Sequence, residues 1–202
     1  MRVPQQARSR RTRERILAAA TDAFESLGYD ETTTPEIARR AGIAVGSVYD
    51  YFRDKRAILL ELLHDTMEQM AELVVQGLAP ETWQHSDPRE SVRKLLELIF
   101  HSRTVRPGLQ RILWERFFKD PEVRAAVEKI EERVRSAVVE LLEALRAEGR
   151  TRIEDPATAA FVVHLSVEWT ASRLVLGGAP VDIDQAVDAA TDMIARYIFE
   201  DA

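Results

Sequence analysis

The chemistry open to this chain has to come from charge, hydroxyl and ring faces. Cys is absent, which removes thiolate nucleophiles, disulfides and thiolate metal sites and agrees with a reducing compartment. His64, His85, His101 and His164 are scattered at no metal-ligating spacing, no phosphate-cradling glycine loop occurs, and carboxylate neighbours such as Glu131 and Glu132 fit exposed helix faces. Neither catalysis nor a metal or cofactor is expected. Two stretches stand out instead. Residues 1–15 carry six Arg and one Glu, and residues 33–55, TTPEIARRAGIAVGSVYDYFRDK, mix hydroxyl, phenol and cationic groups on a helical pattern. Side chains of this kind bind phosphate and base edges.

The elements that must position those groups follow from the apolar spacing. Ile37, Ala38, Ala41, Ile43 and Val48 give one buried face to each of two helices too short to survive alone. Gly42 falls where the first helix ends and a left-handed turn is cheapest, and Ala38 is small where crossing helices approach closely. This is the outline of a helix-turn-helix, whose second helix can lie in a DNA major groove. Val45, Gly46 and Ser47 open that helix and are best placed to face base edges. Tyr51, on the same helix, is expected either to touch groove or phosphate or to pack between helices.

Net charge is −6, yet it is unevenly distributed. Residues 1–56 hold 11 Lys+Arg against 8 Asp+Glu, a net of +3, whereas the remaining 146 hold 17 against 26, a net of −9. A basic amino-terminal module on an acidic body is the asymmetry expected when one end alone meets phosphate; a solvated, frayed tail is the alternative.

Helical periodicity dominates throughout and the fold class is all-α. A first helix is expected from Arg10 or Thr12 to Leu27, closed by Gly28. Thr34 should cap the second, with Pro35 at its first position. The third runs from Val45 to Tyr51 and the fourth from Asp54 to about Gln76. A loop covers Gly77 and Ala79 to Pro88. Later starts are marked at Asp87-Pro88, Pro107, Asp120-Pro121, Asp155-Pro156 and Asp184, with ends near Thr104, Lys119, Glu148, Leu176 and Phe199; Gly149 and Gly177-Gly178 act as stops. About nine helices result. The division expected is a reading head with a basic arm over 1–54 and a helical body over 55–202. No apolar run approaches the ~20 residues of a membrane span, and no secretion signal follows the basic start, so a cytoplasmic protein without a membrane partner is expected.

The last two helices are apolar over more of their circumference than one neighbour requires. Phe161, Val162, Val163, Leu165, Val167 and Trp169 leave little polar face, and Ile183, Ala186, Val187, Ala190, Met193, Ile194, Tyr197 and Ile198 cover about half of the final helix. Packing against a second copy in a four-helix interface is expected, with burial inside a monomer as the alternative.

From Thr12 to Leu63 the chain resembles the TetR family of transcriptional repressors. The pattern is ERILAAATDAFESLGYDETTTPEIARRAGIAVGSVYDYFRDKRAILLELL. It is carried by Phe24 and Gly28-Tyr29, Thr32-Thr33-Thr34, Ile37-Ala38, Ala41-Gly42-Ile43, Gly46-Ser47-Val48-Tyr49, Tyr51-Phe52 and Lys55. Beyond Leu63 only helix number and length agree. The resemblance implies a homodimer that binds a palindromic double-stranded operator and releases it when a small effector enters the body. It also implies that Tyr49 and Lys55 grip the DNA backbone and that Thr33 and Thr34 favour an anion at the start of the second helix. Two departures matter: Ala44 stands where many members have a capping Ser, and Asp50 puts an acid in the recognition helix. With no Arg, Asn or Gln between Ile43 and Phe52, specificity should lean on thymine methyls, water, DNA shape and the arm residues Arg8, Arg10 and Arg11, in the minor groove or on phosphate. A ligand carrier that has lost DNA recognition, and an activator with the same head, are the competing functions.

For the effector, Phe100, Trp114, Phe117, Phe118, Phe161 and Trp169 sit on helices able to surround a cavity, though aromatics at this spacing also serve as plain core. His101 and His164 are candidate polar anchors. Glu168, a carboxylate in an otherwise apolar helix, is expected to meet a cationic ligand, pair with Arg173 across the dimer, or hydrogen-bond His164.

Overall fold

Helix starts in this computed structural model are fixed largely by side-chain caps, and the result is nine α-helices and no strand among the described residues, 5–84, 86–177 and 179–199. They are α1 (Gln5–Glu31), α2 (Thr34–Ala41), α3 (Val45–Tyr49), α4 (Lys55–Leu78), α5 (Pro88–Val105), α6 (Pro107–Lys119), α7 (Pro121–Ala147), α8 (Pro156–Leu176) and α9 (Ile183–Ile198). Arg2, His85 and Gly178 lie outside the described residues. Each Asp-Pro pair works as its chemistry dictates: Asp87, Asp120 and Asp155 accept backbone N–H bonds from Glu90, Glu122 and Thr158.

Four local expectations are corrected. The cap of α2 is Thr33, whose extended backbone and hydroxyl receive the Glu36 N–H at 3.3 Å, so Thr34 is already helical. The cap of α9 is Asp182, in a reciprocal box with Gln185, two residues before Asp184. Gly77 belongs to α4, and the following loop contains a 3₁₀ turn, Pro80–Trp83. That turn drives Trp83 into the core, where its indole N–H donates to Gly77 O at 2.9 Å and its ring stacks on Phe199. Finally, α1 begins earlier than Arg10 and continues past a break at Gly28 (φ 79°, ψ 176°).

Two apolar cores share the molecule. One gathers Ile16, Phe24, Ile37, Val48 and Phe52 of the head with Ile58, Leu59, Leu62 and Leu63 of α4, Leu109, Ile112 and Leu113 of α6, and Val123 and Val127 of α7. The other joins the distal half of α4 to α5, α7, α8 and α9 around Phe100, Leu142, Leu145, Val187 and Ala195. Helix α4 threads both, so the packing boundary falls within that helix and not at residue 54.

The expectation that no apolar run approaches a membrane span is corrected at α8, which is by length and composition apolar enough to cross one. Only part of its apolar surface is used within the bundle; Phe161, Val162, Leu165 and Trp169 are exposed. It packs on α5, α6, α7 and α9, and its Glu168 pairs with Arg103.

Candidate nucleic-acid interface and effector cavity

The reading head is assembled from α1–α3. Gly42 adopts the left-handed conformation (φ 63°, ψ 41°), and the N–H groups of Gly42 and Ile43 return to the carbonyls of Arg39 and Ala38. Arg15 of α1 adds its guanidinium to the Ala41 and Gly42 carbonyls at 2.5 and 3.3 Å. A cation at a helix C-terminus is favourable, and here it pins the turn that sets α3 against α2. Helix α3 starts at Ala44 without a side-chain cap.

The residues expected at DNA separate by exposure. Val45 is 38% and Tyr49 54% exposed, Gly46 is open and Ser47 half-buried, while Val48 points wholly inward. Tyr51 is half-buried against the head core, which agrees with its packing alternative. Thr34 is corrected: only 8% of it is exposed, so its hydroxyl is not presented to an anion, whereas Thr33 is exposed. Asp50 is exposed at the C-terminal end of α3.

Lys55 has a different employment from the one the resemblance implies. Its three ammonium protons have three acceptors, the carbonyls of Tyr29, Asp30 and Thr32 at 2.8, 3.0 and 2.8 Å. The ammonium also lies 4.5 Å from the Tyr29 ring centroid, and Arg116 of α6 covers the same ring at 4.0 Å. Lys55 therefore ties the end of α1 to the start of α4. Burial raises the Tyr29 phenol above its ordinary value.

The basic arm is helical. Arg8, Arg10 and Arg11 stand exposed on the first turns of α1, with Arg10 paired to Glu14 at 3.2 Å. A helix about 10–12 Å across does not enter a minor groove about 6 Å wide, so these cations can reach phosphate but not the groove floor in this conformation. The sequence reading overlooked Arg39 and Arg53, both strongly exposed in the same stretch. Arg39 and Arg40 grip Glu36, whose carboxyl is held down to about 2 by their hydrogen bonds.

The body contains a cavity of about 130 Å³ between α4, α5, α6, α7 and α8. Trp114, Phe117, His164 and Glu168 line it as expected. Phe100 does not; it is fully buried core. Phe118, Phe161 and Trp169 are corrected as well, being 63%, 51% and 42% exposed and off the cavity wall, although Trp169 stacks on Trp114 at 5.1 Å from outside. His101 is exposed and bonded to the Glu97 carbonyl.

Glu168 is not bonded to His164. It accepts from Arg103 of α5 at 2.6 Å, both side chains 15% exposed, and Arg103 also donates to Gln110 at 3.1 Å. Residues 103, 110 and 131 were missed, because Arg, Gln and Glu on amphipathic helices read as solvent-facing until the bundle closes over them. Burial, then repulsion from Glu168, raises the Glu131 carboxyl. Burial lowers the His164 imidazole, an effect that the Glu168 carboxylate partly opposes.

Cavity and head are joined through α6. This helix has no cap of its own; instead Glu25 of α1 accepts the N–H groups of Gly108 and Leu109 at 2.8 and 2.9 Å. Gly108 permits that approach, since a Cβ there would meet the Glu25 carbonyl at 2.7 Å. At its other end Arg116 pairs with Asp30 at 3.0 Å, and Arg56 forms a two-pronged bond to Asp120 at 2.9 Å. Between these clasps, Gln110, Leu113, Trp114 and Phe117 face the cavity.

A helix-turn-helix head clasped to an all-helical body with an internal cavity defines the class of DNA-binding transcription regulators, and not an enzyme. The chain belongs to the TetR family. Residues 16–62 match the family model for bacterial regulatory proteins of the tetR family, and residues 89–197 match the AefR-like transcriptional repressor C-terminal domain. The chain is 27% identical over 176 residues to the HTH-type transcriptional activator FasR of Mycolicibacterium smegmatis, covering 87% of this chain and 78% of that protein. It is 31% identical to the HTH-type transcriptional regulator BetI of Escherichia coli over 87 residues, 43% of this chain and 42% of the relative. In fold it is similar to a TetR-family regulator from Mesorhizobium loti (TM-score 0.79, 22% identity, 95% of this chain and 98% of that one). A transcriptional regulator from Saccharomonospora viridis in complex with choline is similar too (TM-score 0.75, 19% identity, 94% and 98%).

Proposed function

We propose that this chain is a ligand-responsive repressor that binds a palindromic operator as a homodimer in the cytoplasm and lets go when a small molecule occupies the body. The observation that carries the reading is α6, whose middle lines the cavity while both of its ends are fastened to the head's supporting helices. A ligand that favours one position of α6 shifts the position of α1 and α4, and its effect on DNA affinity equals its differential affinity for the two arrangements.

Dimer formation is supported by the outer faces of α8 and α9. Phe161, Val162, Leu165 and Trp169 form an exposed apolar stripe, continued by Met193 and Tyr197. A second copy covering this stripe pairs two heads, which must sit about 34–36 Å apart to enter successive major grooves. At the DNA, Val45, Gly46 and Ser47 face base edges. Tyr49, the Thr33 hydroxyl and Arg10 contact phosphate, while Lys55 acts by holding the head together. Repression is supported by the description of the matching C-terminal domain; activation is the second reading, favoured by the name of the FasR relative.

The test is binding of the purified dimer to duplex DNA from upstream of its own gene, across a salt series, with a promoter-reporter measurement beside it. Saturable, salt-dependent binding with lowered reporter output fits the proposal. Raised output selects activation, and no binding at low salt rejects both.

A further inference from the structure

The candidate effector cavity has an apolar neighbour across a shared wall. A second void of about 90 Å³ lies farther from the head between α4, α5, α7, α8 and α9, and Val74, Ile99, Val134, His164 and Val167 border both. The two compartments differ in chemistry. The far one is walled by side chains such as Leu78, Leu96, Val138, Leu142 and Ile194 and carries no charge. The near one holds Arg103, Gln110, Glu131 and Glu168 beside the rings of Trp114 and Phe117.

The charges in the near compartment do not cancel. Glu168 and Arg103 neutralise each other. Glu131, on the same wall, accepts no hydrogen bond and forms no ion pair among the described residues, and it is half-buried. Its carboxyl is pushed up by burial first and by Glu168 second, and Arg135 and Arg103, neither of them bonded to it, offset only part of that rise. One carboxyl group is left over, beside two aromatic faces.

We propose that the two voids open into one another around a single-chain cationic amphiphile, its ammonium end between Glu131 and the rings of Trp114 and Phe117 and its aliphatic tail past Val134 and His164 into the uncharged compartment. This rests on the reading of the near cavity as the effector site and names the class of effector. A cation supplies the charge that Glu131 lacks and gains from the ring faces. A carboxylate-ended chain has the same tail but meets two acids with Arg103 already matched. The Nε–H of Arg103, buried and without a partner among the described residues, suits a neutral acceptor such as a hydroxyl or ester oxygen near the cationic group.

The probes are decyltrimethylammonium, decanoate and 1-decanol, each below its aggregation limit, titrated into the full-length protein with tryptophan fluorescence and calorimetry as readouts. Decyltrimethylammonium should bind at least about tenfold more tightly than the other two. Shortening its tail from ten carbons to four should weaken it about fourfold per methylene. Glu131→Gln should abolish the preference for the cation while leaving 1-decanol binding in place, which shows that the variant is folded. Stronger binding of decanoate, an unchanged preference in Glu131→Gln, or no binding by any probe overturns the proposal. Operator binding without ligand is measured on the same preparation, so loss of the regulator reading is seen separately.

Discussion

Replacing Glu25 with Ala asks whether the head and the cavity helices form one mechanical unit. Its carboxylate receives two backbone N–H groups of α6 at 2.8 and 2.9 Å, and α6 has no other cap. Hydrogen bonds to a charged group contribute about 1.5–3 kcal/mol each, and loss of an N-cap costs about 0.5–2 kcal/mol. Both bonds are part-buried, so water replaces some of what is lost, and the expected cost is about 2 kcal/mol. For a chain of this size that is a fall of about 4–8 °C in the melting midpoint. Glu25→Gln keeps one acceptor oxygen and should lose about half as much. The assay is scanning calorimetry of the DNA-free protein, followed by operator titration. Weakened DNA binding should accompany the lower midpoint, because α1 is then fastened to α6 only at its far end, through Arg116 with Asp30 and Tyr29, and by apolar packing. A midpoint within about 1 °C of the parent would show that packing holds α6 unaided, and the clasp would have no part in transmission.

Lys55→Met should lower the urea midpoint of the DNA-free protein by the equivalent of about 3 kcal/mol, since three carbonyls lose a charged donor; unchanged stability with weakened DNA binding would return Lys55 to the phosphate. Tyr49→Phe should cost about fivefold in operator affinity with no change in melting, the phenol being largely exposed. Glu36 titrates at about 2 when folded, below its unfolded value of about 4.3, so its contribution is present above that value and fades as pH falls toward 2. Unfolding from pH 5 to 2 should therefore be flatter in Glu36→Gln. The His164 imidazole is lowered by burial, so the unfolded chain binds its proton first and stability declines as pH drops below about 6.5; His164→Gln should remove that share. Phe161→Asp combined with Leu165→Asp should convert a dimer to monomer in sedimentation, and an unaltered dimer would move the interface off α8.

How much of this could be read from the sequence depended on how local each signal was. The Gly42 turn, the inward Val48 and the Asp-Pro caps rest on neighbours a few residues away, and these the sequence disclosed. Thr33 and Thr34 were ambiguous because adjacent hydroxyls both suit a cap, and only the extended backbone of Thr33 decides. The bonds of Lys55 were hidden for the opposite reason: its acceptors lie 23 to 26 residues earlier and are carbonyls, which leave no mark on side-chain identity. The cavity was half legible. Trp114 and Phe117 were found by their size, but the same argument drew in Phe118 and Phe161, whose helix faces turn outward. Glu168 drew notice as an acid in an apolar helix, yet its partner Arg103 is 65 residues away.

The shared core around Ile58, Ile112 and Val127 also limits what can be transplanted. A chimera that takes residues 1–54 from one relative and the rest from another cuts through a single packed interior, with Phe24 and Ile37 on one side of the seam and Leu109 and Leu113 on the other. Exchange of DNA specificity between relatives is better sought in the solvent-facing positions of α3, where Val45 and Tyr49 can change without disturbing what lies beneath.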